Sequence, residues 1–293
     1  MKPILKILVL AIFLLSGTLS IANNISEGEK LFKAGKYHQA INFYMKPDAQ
    51  KDPDVLNRIG YMYNHGMGVE KNEKVGAEWY RKAAEMGYAK SQYNLGQCYL
   101  EGDGVSKDAK EAIKWFRMAA EQGYANAEYQ MGYLTVKGKG TEQDFGQALK
   151  WYQLAAEHGD TSAYSQIGLF YAQGNGVRKD KNRAVQYYIM GAEKGDADAQ
   201  YFLGWAYYKG FGIKADAKQS LYWLTKAANN GSARAMDKLG TIYSNGLLDQ
   251  KVDKVAARQW SQKAINTRKK TGETDPAVDR RLRFFGVDVD NLK

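Results

Sequence analysis

The sequence predicts an all-α fold in which similar helix pairs are stacked along the chain. A helix glycine recurs every 36 residues, and a first loop glycine follows each copy six residues later. The helix glycines are Gly60, Gly96, Gly132, Gly168, Gly204 and Gly240, and the first loop glycines are Gly66, Gly102, Gly138, Gly174, Gly210 and Gly246. A large aromatic residue follows the helix glycine by nineteen residues in five copies and by twenty in the sixth: Trp79, Trp115, Trp151, Tyr187, Trp223 and Trp260. Self-similarity at such a period is typical of repeat proteins, in which one small unit is stacked on the next.

The first 22 residues have the pattern of a secretory signal peptide. Lys2 and Lys6 precede an apolar run at 7–15, and Ser20 and Ala22 supply small residues where signal peptidase cuts. The run is shorter than the roughly 20 residues of a membrane-spanning helix, and no later stretch is apolar enough to span a membrane. We therefore expect cleavage after Ala22, no transmembrane segment, and a location in a bacterial periplasm or outside the cell.

Residues 23–52 are predicted to form a degenerate helix pair. A turn at 34–36 separates two short helices, and the second carries an apolar face made of Tyr37, Ala40, Ile41 and Tyr44. Two prolines then bracket a linker to the first full copy. The pair resembles a tetratricopeptide unit.

Each 36-residue copy is predicted to contain two helices. Apolar residues one before and two after the helix glycine lie three apart and share a helix face. The first loop glycine can take the left-handed conformation that ends helices. In the second helix, Ala112, Trp115, Phe116 and Ala119 have the spacing of a buried stripe. Short acceptor side chains precede the second helices as candidate N-caps: Asn72, Asp108, Asp144, Asp180, Asp216 and Asp253.

These motifs resemble the Sel1-like repeat, a relative of the tetratricopeptide repeat. The pattern LG-x-x-Y-x-x-G-x-GV, D-x-x-x-A-x-x-W and AA-x-x-G occurs in six copies, which we place at 53–267. The resemblance implies a right-handed α-solenoid of antiparallel helix pairs and a protein-binding role. The sixth copy departs from the pattern at two positions. Leu248 stands where the other copies have a second loop glycine, two residues after the first, and Thr267 stands where they have the glycine that ends the second helix. We interpret this as the capping feature of a terminal unit.

Residues 268–293 are predicted to form a C-terminal capping helix and tail. Asp275 and Pro276 have the pattern of a helix start. Val278, Leu282 and Phe285 follow on one helix face, which we expect to cover the open side of the last repeat.

The sequence offers no site for catalysis, a metal ion or a cofactor. Its three histidines are not paired at metal-ligand spacing, and the single cysteine, Cys98, occupies an apolar core column. The Gly-x-Gly loops recur at helix-to-helix turns without a preceding strand, so a turn explains them better than a phosphate-binding loop. Without further cysteines the chain departs from the cysteine-rich branch of the family, and the enzymatic roles suggested for that branch transfer poorly.

The net charge of +10 suits contact with acidic proteins or anionic surfaces. The lysines are scattered along the predicted helices, and the chain is predicted to be secreted. We therefore do not expect nucleic acid as a partner.

One face of the first helices varies freely between copies and is the predicted binding surface. It comprises the positions six and two before, and one and five after, the helix glycine; we call it the first-helix stripe. In solenoids of helix pairs the first helices line the concave face, so the stripe should form the floor of a groove. Its candidate partner-binding residues are Arg58, Tyr61, Tyr133, Leu169, Phe202, Trp205, Arg234 and Lys238. Phe202 and Trp205 are expected to be exposed aromatic anchors.

The favoured function is a secreted, non-enzymatic scaffold, expected to be a monomer, whose groove binds a peptide or protein. Envelope signalling, envelope assembly and contact with a host all suit such a protein. One alternative is a hydrolase of cell-wall or β-lactam substrates, as suggested for cysteine-rich relatives. Another is adhesion to an anionic surface, which salt would weaken.

Overall fold

The computed structural model describes residues 23–272, and this part of the chain contains fourteen α-helices and no β-strand. The signal peptide predicted at 1–22 and the helix predicted from Asp275 to Phe285 lie outside the described residues. The described chain divides into two compact units, with the boundary in the sequence between Asp144 and Phe145.

The first unit contains α1 to α7. Helix α1 covers residues 23–33, and a single 3₁₀ turn, Ala49–Lys51, follows α2. The remaining helices are α2 (Tyr37–Tyr44), α3 (Pro53–His65), α4 (Glu73–Glu85), α5 (Ala89–Glu101), α6 (Ala109–Ala120) and α7 (Ala125–Lys137). From α2 onward each helix packs against the next.

The second unit contains α8 to α14, and here too each helix packs against its successor. The helices are α8 (Phe145–Glu157), α9 (Ala163–Gln173), α10 (Lys181–Glu193), α11 (Ala197–Lys209), α12 (Ala217–Asn229), α13 (Ala233–Asn245) and α14 (Lys254–Thr271). The predicted fold class, an all-α solenoid of helix pairs, is confirmed.

The helices begin and end at the residues that the repeat pattern predicts. Every first loop glycine is left-handed, with φ between 63° at Gly138 and 88° at Gly102, and each directly follows the last residue of a first helix. The predicted acceptor side chains bond to amides in the first turn of the second helix at Asn72, Asp108, Asp180, Asp216 and Asp253. These hydrogen bonds satisfy backbone N–H groups of the first helical turn, which have no acceptor within the helix itself.

In the first five repeats, a buried residue of the second helix follows directly after the aromatic residue that recurs with the repeat period. Phe116 is fully buried, whereas Trp115 is only partly buried and packs at the edge of the core. A Cβ built on Gly96 would lie 2.8 Å from the Phe116 ring, so the helix glycine is the surface on which this ring packs. The same column continues with Tyr80, Tyr152, Tyr188 and Leu224. Of the predicted stripe, Ala112, Phe116 and Ala119 are buried as expected, and only the expectation that Trp115 is buried with them was wrong. Adjacent helix residues point about 100° apart, so Trp115 and Phe116 do not face the core equally.

The last repeat departs from the others where its sequence does. Leu248 and Asp249 are non-glycine residues with φ of 55° and 58°. With threonine at position 267 instead of glycine, α14 continues to Thr271 and ends at Gly272, whose φ is 68°.

Cys98 is buried, as its core column predicts, with 2% of its surface exposed. Burial raises the pKa of its thiol to about 12. Because the thiolate is the reactive form, we expect thiol titration of the native protein to be slow and to become fast in denaturant. Rapid labelling of the native protein would contradict the packing around α5.

Candidate functional site

The first-helix stripe lies on the surface of both units. No stripe position is buried in any of the six repeats. The neighbouring positions, one before and two after the helix glycine, are buried, as Leu95 and Cys98 are in the second repeat. The stripe residues are therefore free to vary without changing the core.

In the first unit, the exposed aromatic residues of the stripe are Tyr61 and Tyr133. Their exposed fractions are 40% and 43%. The Tyr61 ring stacks on His65, with centroids 4.0 Å apart, and the Lys137 ammonium lies 5.8 Å from the centroid of the Tyr133 ring. Both tyrosines are therefore available at the surface, and tyrosine is enriched at protein interfaces.

Arg58 serves a structural network at the start of the first unit. Its guanidinium lies 2.7 Å from a Glu29 carboxylate oxygen and 2.9 Å from one of Asp54. Tyr88 donates a hydrogen bond of 2.6 Å to the other Asp54 oxygen. The Asp54 carboxyl has a lowered pKa: burial opposes the shift, and the bonds from Tyr88 and Arg58 outweigh it. Arg58 thereby joins α1, α3 and the residue that precedes α5.

In the second unit, Phe202 and Trp205 are half-buried, so the expectation that they are exposed was wrong. Phe202 stacks on Tyr188, with centroids 5.2 Å apart, and Trp205 packs against Phe211, also at 5.2 Å. The sequence pattern placed both on the stripe but could not show that neighbouring aromatics partly cover them.

The remaining stripe candidates of the second unit form a partly charged surface. Leu169 is partly buried. Arg234 lies 3.8 Å from Asp198, and the Lys238 ammonium lies 4.1 Å from the centroid of the Tyr208 ring. The comparison of the six repeats with each other did not select Tyr208, because Tyr208 lies next to the stripe rather than on it.

Buried polar residues beside the stripe also escaped the sequence analysis. The Asn57 side-chain oxygen accepts hydrogen bonds from Ser91 at 2.9 Å and from Asn94 at 2.8 Å. In the second unit, Asn230 donates to the Gln200 side chain, which donates to the Ala192 carbonyl. The bonds to Asn57 and the bond from Gln200 to Ala192 join consecutive repeats, whereas the bond from Asn230 lies within one repeat. Among these residues only Ser91 stands in a column of otherwise small or apolar residues, and the columns of Asn57 and Gln200 are mixed, so comparison of the repeats gave little signal for them.

Asp196, the N-cap of α11, makes the second unit sensitive to pH. Burial raises the pKa of its carboxyl from 3.8 to about 6, Asp198 and Asp160 add to the rise, and the bond from the Ala199 amide opposes it. A raised carboxyl pKa means that the folded state binds the proton more tightly than the unfolded state. Asp196 therefore lowers stability increasingly as the pH rises from about 4 to about 6.

We expect Asp196→Asn, which keeps the cap, to stabilise the protein at pH 7.5 by about 1–2 kcal/mol. This figure is below the full linkage value because the carboxyl is partly exposed to solvent. The difference in unfolding free energy from the wild type should vanish near pH 4. A difference that does not change with pH in denaturant titrations would refute the assignment.

Within residues 23–272, no group of three His, Cys, Asp or Glu side chains is arranged to hold a metal ion. Over the same range, no helix has both the length and the apolar character needed to cross a membrane.

Comparison with known proteins identifies the repeat. The model of the Sel1 repeat family matches six consecutive segments: 53–88, 89–124, 125–160, 161–196, 197–232 and 233–266. No curated protein sequence matches the chain.

Solved structures agree with this match. A Sel1 repeat protein from Oxalobacter formigenes is 54% identical, with a TM-score of 0.79 over 82% of this chain and 96% of that chain. The protein c5321, a protective antigen of uropathogenic Escherichia coli with an SLR fold, is 32% identical, with a TM-score of 0.73. That match covers 84% of this chain and 53% of the antigen, so this chain spans about half of its length. The immunity protein Pa5087 from Pseudomonas aeruginosa shares the fold at 20% identity and a TM-score of 0.51, over 73% of this chain and 81% of that chain.

Repeats of this kind are typically protein–protein interaction scaffolds and are generally non-catalytic. With six matched copies across residues 53–266 and relatives of the same architecture, the chain belongs to the Sel1 repeat family.

Proposed function

We propose that this protein is a secreted, non-enzymatic scaffold of the bacterial envelope that binds a peptide or protein partner along its first-helix stripe. One observation carries the proposal: the stripe is at least partly exposed in every repeat and changes from repeat to repeat, whereas its neighbours stay buried. A surface that folding does not constrain is available for recognition.

The stripe offers different contacts in the two units. In the first unit Tyr61 and Tyr133 are the proposed aromatic anchors. Both are exposed, so a partner can pack against them with little rearrangement of this protein. In the second unit Phe202 and Trp205 are partly exposed, and the stripe also carries Arg234 and Lys238. Aromatic and arginine residues dominate binding energies at protein interfaces. Arg58 contributes by holding the first repeat in place, and Leu169 supplies a partly exposed apolar side chain.

The envelope location rests on the N-terminal sequence pattern. Intact mass of the exported protein should correspond to a mature chain that starts at Asn23. A chain that retains Met1 would contradict export by signal cleavage.

Site-specific photocrosslinking in the native host tests the binding surface. A photoreactive phenylalanine analogue at Tyr133 should give discrete adducts with one partner. The matched control is Met118 in α6, which is 44% exposed in the same unit but lies outside the stripe. Equal adducts from both positions, or none from Tyr133, would refute the assignment of the stripe.

A further inference from the structure

The loop between the two helices of a repeat normally lies directly on the preceding helix pair. In the first five repeats a second loop glycine makes this possible, with φ between 64° and 77°. A Cβ on Gly104 would overlap the Glu73 carbonyl at the start of α4, and one on Gly212 would overlap the Lys181 carbonyl at the start of α10. The other members of this column are Gly68, Gly140 and Gly176.

The sixth repeat cannot make this approach. Leu248 replaces the second loop glycine, and a side chain at this position would overlap the first turn of α12. Leu248 and Asp249 also keep left-handed backbone angles of 55° and 58°, a conformation that a Cβ disfavours. The Leu248 side chain packs instead against the core cluster formed by α12, α13 and α14, and the backbone of the loop remains strained.

A pocket of about 650 Å³ lies between α12 and this loop. Ala217, the residue on which a glycine loop would have lain, is part of its lining. Leu221 and Tyr222 line it from α12, and Leu248 lines it from the loop. This volume is within the range of sites that bind small molecules or side chains.

Leu221, at the floor of the pocket, occupies a position that is buried in the core of the preceding repeats. The residue seventeen after the helix glycine is buried in the first four repeats, with exposed fractions of 2% at Ala77, 6% at Ile113, 7% at Leu149 and 3% at Val185. In the fifth repeat the same position is Leu221, which is only partly buried. An apolar group that entered the pocket would restore the missing contact and gain the free energy of burial.

Two lysines line the pocket from the same face of α12. Lys218 and Lys226 are eight residues apart, which places them about 12 Å apart along the helix. The Lys226 ammonium lies 5.0 Å from the centroid of the Trp223 ring and 5.7 Å from that of Tyr222. Asp249 is the one acidic residue of the lining, so the lining favours a negatively charged ligand.

We propose that this pocket is a second binding site, separate from the first-helix stripe, for an acidic peptide segment of a partner protein. One apolar side chain of the peptide packs against Leu221 and Leu248, and neighbouring carboxylates pair with Lys218 and Lys226. The sixth repeat is the copy without the second loop glycine, and the site lies between the fifth and sixth repeats.

Titration of the full-length ¹⁵N-labelled protein by NMR tests the proposal with three synthetic probes. Acetyl-Leu-Glu-Glu-amide should shift amides of α12 and of residues 247–250 and bind at least tenfold more tightly than acetyl-Ser-Glu-Glu-amide or acetyl-Leu-Lys-Lys-amide. Equal binding of the lysine peptide, or shifts confined to other helices, would overturn the proposal.

Three variants connect binding to the pocket. Leu248→Gly relieves the strained backbone and lets the loop approach α12, so it should keep or raise the melting temperature and weaken binding at least tenfold. Leu221→Gln makes the floor polar and should weaken binding similarly. Tyr133→Ala, which alters the stripe, should leave peptide affinity unchanged, so the two sites can fail independently.

Unchanged binding in folded Leu248→Gly and Leu221→Gln would show that the pocket is not the site. Nuclear Overhauser contacts between the Leu221 or Leu248 methyl groups and residues 273–293 would also overturn the proposal, because the chain's own C-terminal segment would then occupy the pocket.

Discussion

Replacing Gly104 by alanine should destabilise the protein by about 2–4 kcal/mol. The residue has a left-handed φ of 71°, which a Cβ disfavours by about 1–2 kcal/mol. The new methyl group would also overlap the Glu73 carbonyl and the Lys74 amide. Backbone atoms at the start of α4 cannot move aside as a side-chain tip could, so the loop must lift from the preceding repeat. Denaturant unfolding would measure the loss.

Gly87→Ala separates the two causes. Gly87 also has a left-handed φ, 89°, but no atom would lie within 4 Å of a Cβ at this position. Its replacement should cost only the backbone term of about 1–2 kcal/mol. If Gly87→Ala and Gly104→Ala destabilised equally, close packing of the loop would not be the reason for the second loop glycine.

Phe116→Ala should destabilise the protein by about 3–5 kcal/mol. Phe116 is fully buried, and its ring lies against the backbone of α5 at Gly96. Truncation leaves a cavity between two helices that cannot close without moving both. Thermal or urea unfolding at neutral pH would give the value.

Trp115→Ala is the internal control from the same helix. Trp115 is only partly buried, and its enclosed indole nitrogen lacks a hydrogen-bond partner in the described part of the chain. Removing it loses less apolar contact and also removes a desolvated polar atom. We expect a loss at least about 1 kcal/mol smaller than that of Phe116→Ala. If Trp115→Ala destabilised the protein more than Phe116→Ala, the tryptophan would be the main core residue of this helix instead.

Much of the fold was predictable because identical units repeat the same physical constraints. A glycine in one loop is a weak signal, but the same glycine at Gly66, Gly102 and Gly138 indicates a left-handed helix end in each repeat. The N-caps at Asp108 and Asp216 followed from the same logic. Periodicity could not separate Trp115 from Phe116, since both recur at the same period and only packing decides which of them faces the core.

The candidate site was less predictable, because it depends on what differs between repeats. Offsets from the helix glycine placed Tyr61 and Tyr133 on an exposed stripe correctly. They could not show that Tyr188 and Phe211 partly cover Phe202 and Trp205, or that Glu29 and Asp54 engage Arg58. Tyr188 and Glu29 lie in other helices than the residues they contact, and no column of the repeat records which side chains meet.

Partner affinity of two matched variants tests the central claim most directly. With the partner identified by crosslinking, isothermal titration calorimetry would compare Tyr133→Ala with Met118→Ala, since both residues are similarly exposed in the first unit. If the stripe binds the partner, Tyr133→Ala should raise the dissociation constant about thirtyfold, corresponding to about 2 kcal/mol. Met118→Ala should leave it unchanged, and both variants should keep the wild-type melting temperature. Unchanged affinity in Tyr133→Ala, together with a loss in Met118→Ala, would place the partner on the second helices and contradict the account.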